Sequence, residues 1–108
     1  MEKTHELRYR IAPLEMSPSE FRKAGYRLID QIAELLCTLP ERPVAPNETP
    51  TELRALLGSH ALPEQGQDAS SLLDEAAGLL FDHSVFNGHP RFMGFITSSA
   101  APIGALGD

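Results

Sequence analysis

SPSEFRKAGYRLIDQIAELLCTLP, residues 17–40, is the stretch that decides the fold of this chain. It opens with Ser17, Pro18 and Glu20, the pattern of a helix start: a serine cap, a proline at the first helical position and a glutamate that completes a capping box. Apolar and small residues then recur at steps of three and four, the period of an amphipathic helix. They are Phe21, Ala24, Leu28, Ile32, Leu35 and Leu39, with Gly25, Ile29, Ala33 and Leu36 widening the stripe. We therefore expect a helix of about six turns that ends before Pro40.

A proline-rich linker and a short second helix follow. Residues 40–50, PERPVAPNETP, contain four prolines and should form an extended, fairly stiff connection. Thr49 and Glu52 repeat the capping pattern, so TELRALL is predicted to be helical, with Gly58 as the C′ glycine.

The last third of the chain contains a third predicted helix and an extended segment. Asp68, Ser70 and Ser71 offer caps for a helix that ends near residues 81–83, and Asn87 with Gly88 marks a turn. Residues 91–97 are β-compatible, and another helix could begin at Pro102. The predicted class is all-α: a long amphipathic helix, two shorter helices and an extended C-terminal segment. The domains are a polar lead-in (1–16), a helical segment (17–83) and a terminal segment (84–108).

The composition excludes several classes of protein. With 15 acidic and 9 basic residues the net charge is −6, which disfavours binding to nucleic acid or to an anionic membrane surface. No apolar run approaches the ~20 residues of a membrane span, and residues 1–13 lack the apolar core of a secretory signal. The single cysteine, Cys37, indicates a reducing, cytoplasmic location and is expected to be a buried structural thiol.

No catalytic constellation is visible within the 108 residues. His83 and His89, with Asp82 nearby, are too few ligands for a convincing zinc site, so surface or capping histidines are the favoured interpretation and no metal is expected. Ser98 and Ser99 lack the G-x-S-x-G context of a serine hydrolase. The two lysines, Lys3 and Lys23, are not placed as Schiff-base formers. The long helix has an apolar stripe that the short helices do not obviously cover, which points to a partner chain or to further sequence.

Two terminal motifs carry a resemblance to a known family. His89-Pro90-Arg91-Phe92 resembles the H-P-[RY]-F signature of the pyridoxal-phosphate-dependent amino-acid decarboxylases, the group that includes aromatic-L-amino-acid, histidine and glutamate decarboxylases. PIGALGD, residues 102–108, resembles their P-x-x-x-L-A-D helix start, with Gly107 where alanine is usual. The order of the preceding helices and the linker agrees, so the resemblance covers roughly residues 17–108.

The resemblance implies that the chain is the N-terminal, dimer-forming segment of a larger homodimeric enzyme. In that family the long helix packs against its counterpart in the partner subunit, which assigns Phe21, Leu28, Ile32 and Leu35 to a dimer interface. The large domain, an aspartate-aminotransferase-like α/β fold, binds pyridoxal 5′-phosphate and supplies the Schiff-base lysine. The fragment alone is then expected to be inactive and to bind no cofactor.

The resemblance also implies a substrate-lining role for the residues after His89-Pro90-Arg91-Phe92. Phe95 and Ile96 would contact the substrate side chain, and Thr97 and Ser98 would lie near the substrate carboxylate or the cofactor. Glutamate-specific members have a glutamine where this chain has Phe95, so an aromatic or apolar amino acid is the expected substrate. Simple core packing of the apolar residues is the competing interpretation for this segment.

Two other functions stay open from the sequence. The chain could be a free-standing helical interaction module, or a remnant that pairs with another subunit, through its long-helix stripe. It could also be an unrelated small helical protein whose similarity at residues 89–108 is accidental.

Overall fold

The computed structural model describes residues 14–94 and 101–107, and within them the chain is helical with no strand. Helix α1 spans Pro18–Thr38 and runs into a 3₁₀ turn, Leu39–Glu41. Helix α2 spans Pro50–Leu57, α3 spans Ala69–His83 and α4 spans Pro102–Gly107. The predicted all-α class is confirmed for these residues. Residues 91–94 form no strand, and the other residues of the predicted β-compatible segment lie outside the described ones.

Local capping sets the helix starts where the sequence predicted them. The Ser17 backbone N–H donates to Glu20 Oε2 at 2.9 Å, and the Glu20 N–H donates to Ser17 Oγ at 3.2 Å. Thr49 and Glu52 form the same reciprocal pair at the start of α2, and Asp68 caps α3. Each box satisfies backbone donors that the first turn of a helix leaves free.

Helix α2 ends at Leu57, the last residue of the predicted TELRALL helix. Gly58, predicted at C′, is itself the C-cap, with φ 71° and its N–H donating to the Arg54 carbonyl at 3.0 Å. Positive φ favours glycine because a Cβ is strained there.

Helices α1 and α3 pack side by side in the same direction. Arg27 of α1 binds Asp74 of α3, and Arg42, just beyond α1, reaches Phe81 near the end of α3. The contact between the two helices buries small residues. Within the described residues, the buried apolar side chains are Ala24 and Ala77. The linker and α2 form the crossover that a parallel pair requires.

The described helices do not close into a compact globule. The radius of gyration is 19.2 Å, whereas a compact chain of this length has about 13 Å. Among the described elements, α2 and α4 pack against no other helix. Within the described residues, the apolar stripe of the long helix is therefore covered only in part. None of the described helices is long and apolar enough to cross a membrane.

Candidate functional site

A buried histidine joins the linker to the turn that follows α3. His89 is 3% exposed, and its Nε2 lies 2.8 Å from the carbonyl oxygen of Arg42. The backbone N–H of Arg91 donates to His89 Nδ1 at 3.0 Å. Because Nδ1 accepts that bond, the ring proton lies on Nε2 and is donated to Arg42. One neutral imidazole therefore bridges two main-chain groups that are far apart in sequence.

The Arg42 side chain ties the ends of both long helices together. Its Nη1 donates to the Phe81 carbonyl at 3.3 Å and lies 3.6 Å from Asp82 Oδ1. Its Nε donates to Thr38 Oγ1 at 3.0 Å. A cation is favourable at the C-terminus of α3 because the last carbonyls of a helix have no intrahelical donor and carry partial negative charge.

Two further contacts hold the linker against the end of α3. His83 Nδ1 lies 2.7 and 2.8 Å from the two carboxylate oxygens of Glu48. The Phe86 N–H donates to the Val44 carbonyl at 2.9 Å. Residues 42–48 are thus fixed at several points along their length, as expected of a stiff connection. We call these contacts, together with those of His89 and Arg42, the linker junction.

The linker junction corrects the expectation of a surface or capping histidine at His89. His89 is buried and His83 is half-buried, and each is committed to a different partner. The geometry therefore brings them to no shared metal position with Asp82. In the part of the chain that the structure describes, no three histidine, cysteine or acidic side chains are grouped as metal ligands would be.

Helix α1 also carries an apolar face that the described residues leave uncovered. Phe21 is 70% exposed and Ile32 is 38% exposed. Ile29 and Leu36, on the same side of the helix, are exposed as well. Phe21 and Ile32 are two of the four residues predicted to form a dimer interface. The other two, Leu28 and Leu35, are half-buried. They lie one turn after Ala24 and Gln31, on the side of α1 that faces α3.

A polar contact fixes the register between α1 and α3. Arg27 Nε lies 2.6 Å from Asp74 Oδ1, and Gln31 Nε2 donates to the same oxygen at 3.1 Å. The hydrogen bond from Arg27 lowers the pKa of the Asp74 carboxyl, and the same bond raises the pKa of Arg27. Gln31 Oε1 is buried and accepts no hydrogen bond from the described residues.

Two residues singled out in the sequence lie away from these features. Cys37 is exposed, so the expectation of a buried thiol is wrong. On the helix it lies outside the exposed strip of Phe21, Ile29, Ile32 and Leu36, near the exposed Tyr26 and Asp30, and none of the described elements packs there. Lys23 is exposed on α1, beside an open groove that Asp68 and Asp30 also line.

The predicted substrate-lining residues, Phe95, Ile96, Thr97 and Ser98, lie outside the described residues. The sequence analysis missed Arg42 and the burial of His89. The available signals were a lone arginine between prolines and a histidine directly after the Asn87-Gly88 turn.

Comparison with curated proteins gives two relatives. An aromatic-L-amino-acid decarboxylase of Bacillus atrophaeus is 28% identical over 95 residues, which cover 88% of this chain and 20% of that protein. A tyrosine decarboxylase of Oryza sativa subsp. japonica is 32% identical over 97 residues, covering 88% of this chain and 18% of that protein.

The chain therefore spans about a fifth of the length of the curated relatives it matches. No protein-family model matches the chain, and no solved structure matches it significantly. The two relatives confirm the resemblance that the terminal motifs indicated: over most of its length this chain is similar to part of the amino-acid decarboxylases.

Proposed function

We propose that this chain is the N-terminal, subunit-pairing segment of a pyridoxal-phosphate-dependent decarboxylase that converts an aromatic L-amino acid to its amine. The similarity to two decarboxylases over 88% of the chain carries the proposal. Both relatives are named for aromatic amino acids, as the aromatic Phe95 in the proposed substrate segment also suggests.

The uncovered face of α1 supports the pairing role. Phe21, Ile29, Ile32 and Leu36 form one apolar strip beside the contact with α3, and exposed apolar strips of this kind mark interaction surfaces. We propose that the same strip of a second subunit covers it, with Leu28 and Leu35 at its edge. A free-standing interaction module would use the strip in the same way, so pairing alone does not separate the two functions.

We propose that the cofactor is held outside the described residues of this chain. A Schiff-base lysine needs its pKa lowered, for which burial away from water is one means, whereas Lys23 is exposed in an open groove that Arg27 and several carboxylates also line. The cofactor would be held by the large domain, outside this chain. The contribution proposed for this chain is to pair the subunits and to line the substrate pocket with residues 95–98, in a cytoplasmic enzyme.

Release of CO₂ tests this function. The natural protein is isolated with an antibody to residues 17–39 and incubated with carboxyl-labelled tyrosine, tryptophan, DOPA and glutamate. We expect release from the aromatic substrates, loss of release when pyridoxal 5′-phosphate is removed, and recovery when it is added back. Preference for glutamate would overturn the substrate class, and no release from any amino acid would overturn the function.

A further inference from the structure

We propose that His89 is a positioning residue that fixes the path by which the main chain enters the substrate-lining segment. The inference rests on the proposed function for its catalytic meaning, since that function assigns the lining role to the residues after Gly94. The geometry of the turn itself comes from the described residues alone.

The first argument is the way in which His89 is held. Its side chain is buried, and both ring nitrogens are used, Nε2 toward the Arg42 carbonyl and Nδ1 toward the Arg91 N–H. Both partners are main-chain groups, so the ring fixes backbone to backbone. Imidazole carries a donor and an acceptor on opposite sides of one rigid ring. No other side chain of this size offers both groups in this geometry.

The second argument is the turn around His89. The His89 N–H donates to the Phe86 carbonyl at 3.2 Å, and the Phe92 N–H donates to the His89 carbonyl at 3.0 Å. Two consecutive turns therefore meet at His89, and the chain leaves them at Phe92. The Phe92 ring lies close over Gly94, where an added Cβ would stand 3.2 Å from the ring Cζ.

The third argument is where this turn is attached. The Arg42 carbonyl accepts the hydrogen bond from His89. The Arg42 side chain is hydrogen-bonded to Phe81 near the end of α3 and to Thr38 at the end of α1. The contacts of the linker junction thus fix the turn that ends at Phe92 relative to the two packed helices. Phe95 follows Gly94 directly, so a displaced turn moves the covalent start of the substrate segment.

The test uses the complete protein that carries this chain, with two variants. His89→Phe keeps an aromatic ring of similar size but removes the donor and the acceptor. His83→Phe is the matched control, because it changes the other histidine of the linker junction and leaves both His89 hydrogen bonds in place. Thermal unfolding and bound cofactor are measured for each, so that a variant with unfolded or unloaded protein is recognised.

The first readout is hydrogen exchange in peptides covering residues 86–94. We expect His89→Phe to accelerate exchange there at least about tenfold, because two hydrogen bonds are lost, and His83→Phe to change it much less. Unchanged exchange in the first variant would show that His89 does not hold the turn. If His89→Phe fails to fold, His89→Gln, which retains a donor toward Arg42, is measured in its place.

The second readout separates positioning from stability. A misplaced substrate segment should raise the KM for the aromatic amino acid about tenfold in His89→Phe, as expected for about one lost contact, with cofactor content unchanged. Lower stability with an unchanged KM would overturn the positioning role and leave the proposed function intact. Absence of decarboxylation in the unmodified protein would instead refute the proposed function and this role together, whatever the exchange data show.

Discussion

An aspartate in place of Ile32 tests whether the exposed apolar strip of α1 pairs two subunits. Phe21, Ile29, Ile32 and Leu36 are 70, 43, 38 and 46% exposed, so about half of this strip is free to be covered. Full burial of such a side chain contributes about 1.5–3 kcal/mol. Covering the free half of the four would therefore contribute about 3–6 kcal/mol for each chain. Two chains together gain about 6–12 kcal/mol, against about 4–15 kcal/mol for the lost freedom of association.

Because gain and cost are similar, one substitution should decide whether the isolated chain dimerises. Ile32→Asp removes about 1–2 kcal/mol of apolar burial across the two subunits and places an unpaired charge in the interface from each side. We expect the dimer dissociation constant to rise at least about 100-fold, equivalent to about 2.7 kcal/mol. Sedimentation equilibrium over a range of concentrations measures it.

The control is Cys37→Asp, which adds the same charge at an exposed position of α1 outside the strip. We expect it to leave the dissociation constant within about threefold, because surface substitutions away from packed features have small effects. A dimer whose dissociation constant is unchanged by Ile32→Asp would refute the pairing role of this strip. Equal weakening by both variants would show that net charge, rather than this strip, governs association.

Three further outcomes follow from the helix ends. Ser17→Ala should lower the stability of α1 by about 1 kcal/mol through loss of its cap, and an unchanged melting curve by circular dichroism would contradict this. The pKa values of Glu20 and Glu52 are lowered because each carboxylate accepts hydrogen bonds from its cap residue. The bond from the backbone N–H has the larger effect, and the bond from the side-chain hydroxyl adds to it. Because the pKa is lower in the folded state, each carboxylate stabilises the fold at pH values above its ordinary pKa of 4.5. This stability is lost as the pH falls through the folded pKa. Helicity should therefore fall below pH 4.5, and less so in a variant with both glutamates changed to glutamine; identical acid titrations would be evidence against the boxes. Gly58→Ala should destabilise α2 by about 1 kcal/mol because of its positive φ, whereas a gain in helicity would refute the assigned conformation.

The helices were predictable because their ends are encoded locally. Ser17 with Glu20 and Thr49 with Glu52 lie three residues apart, and the hydrogen bonds that they form need no other part of the chain.

The linker junction was not predictable, since it joins residues that are distant in sequence. His89 and Arg42 are 47 positions apart, and neither has a neighbour whose pattern indicates the other. Cys37 shows a different failure: the expectation of a buried thiol followed the usual behaviour of cysteine, although Cys37 is not among the apolar residues that form the stripe.

The division of the uncovered apolar residues also depended on tertiary structure. The periodicity groups Phe21, Leu28, Ile32 and Leu35 as one stripe, but the packing of α3 separates the half-buried Leu28 and Leu35 from the two exposed residues. The sequence alone could not show where on the stripe α3 would lie.

The mass of the natural protein tests most directly whether this chain is part of a larger decarboxylase. An antibody to residues 17–39 would detect it in an extract of the source cells. We predict a band about five times heavier than 11.8 kDa, since the chain spans about a fifth of the length of the decarboxylases it matches. A single band at 11.8 kDa would contradict the proposal and leave a free-standing helical module as the function to pursue.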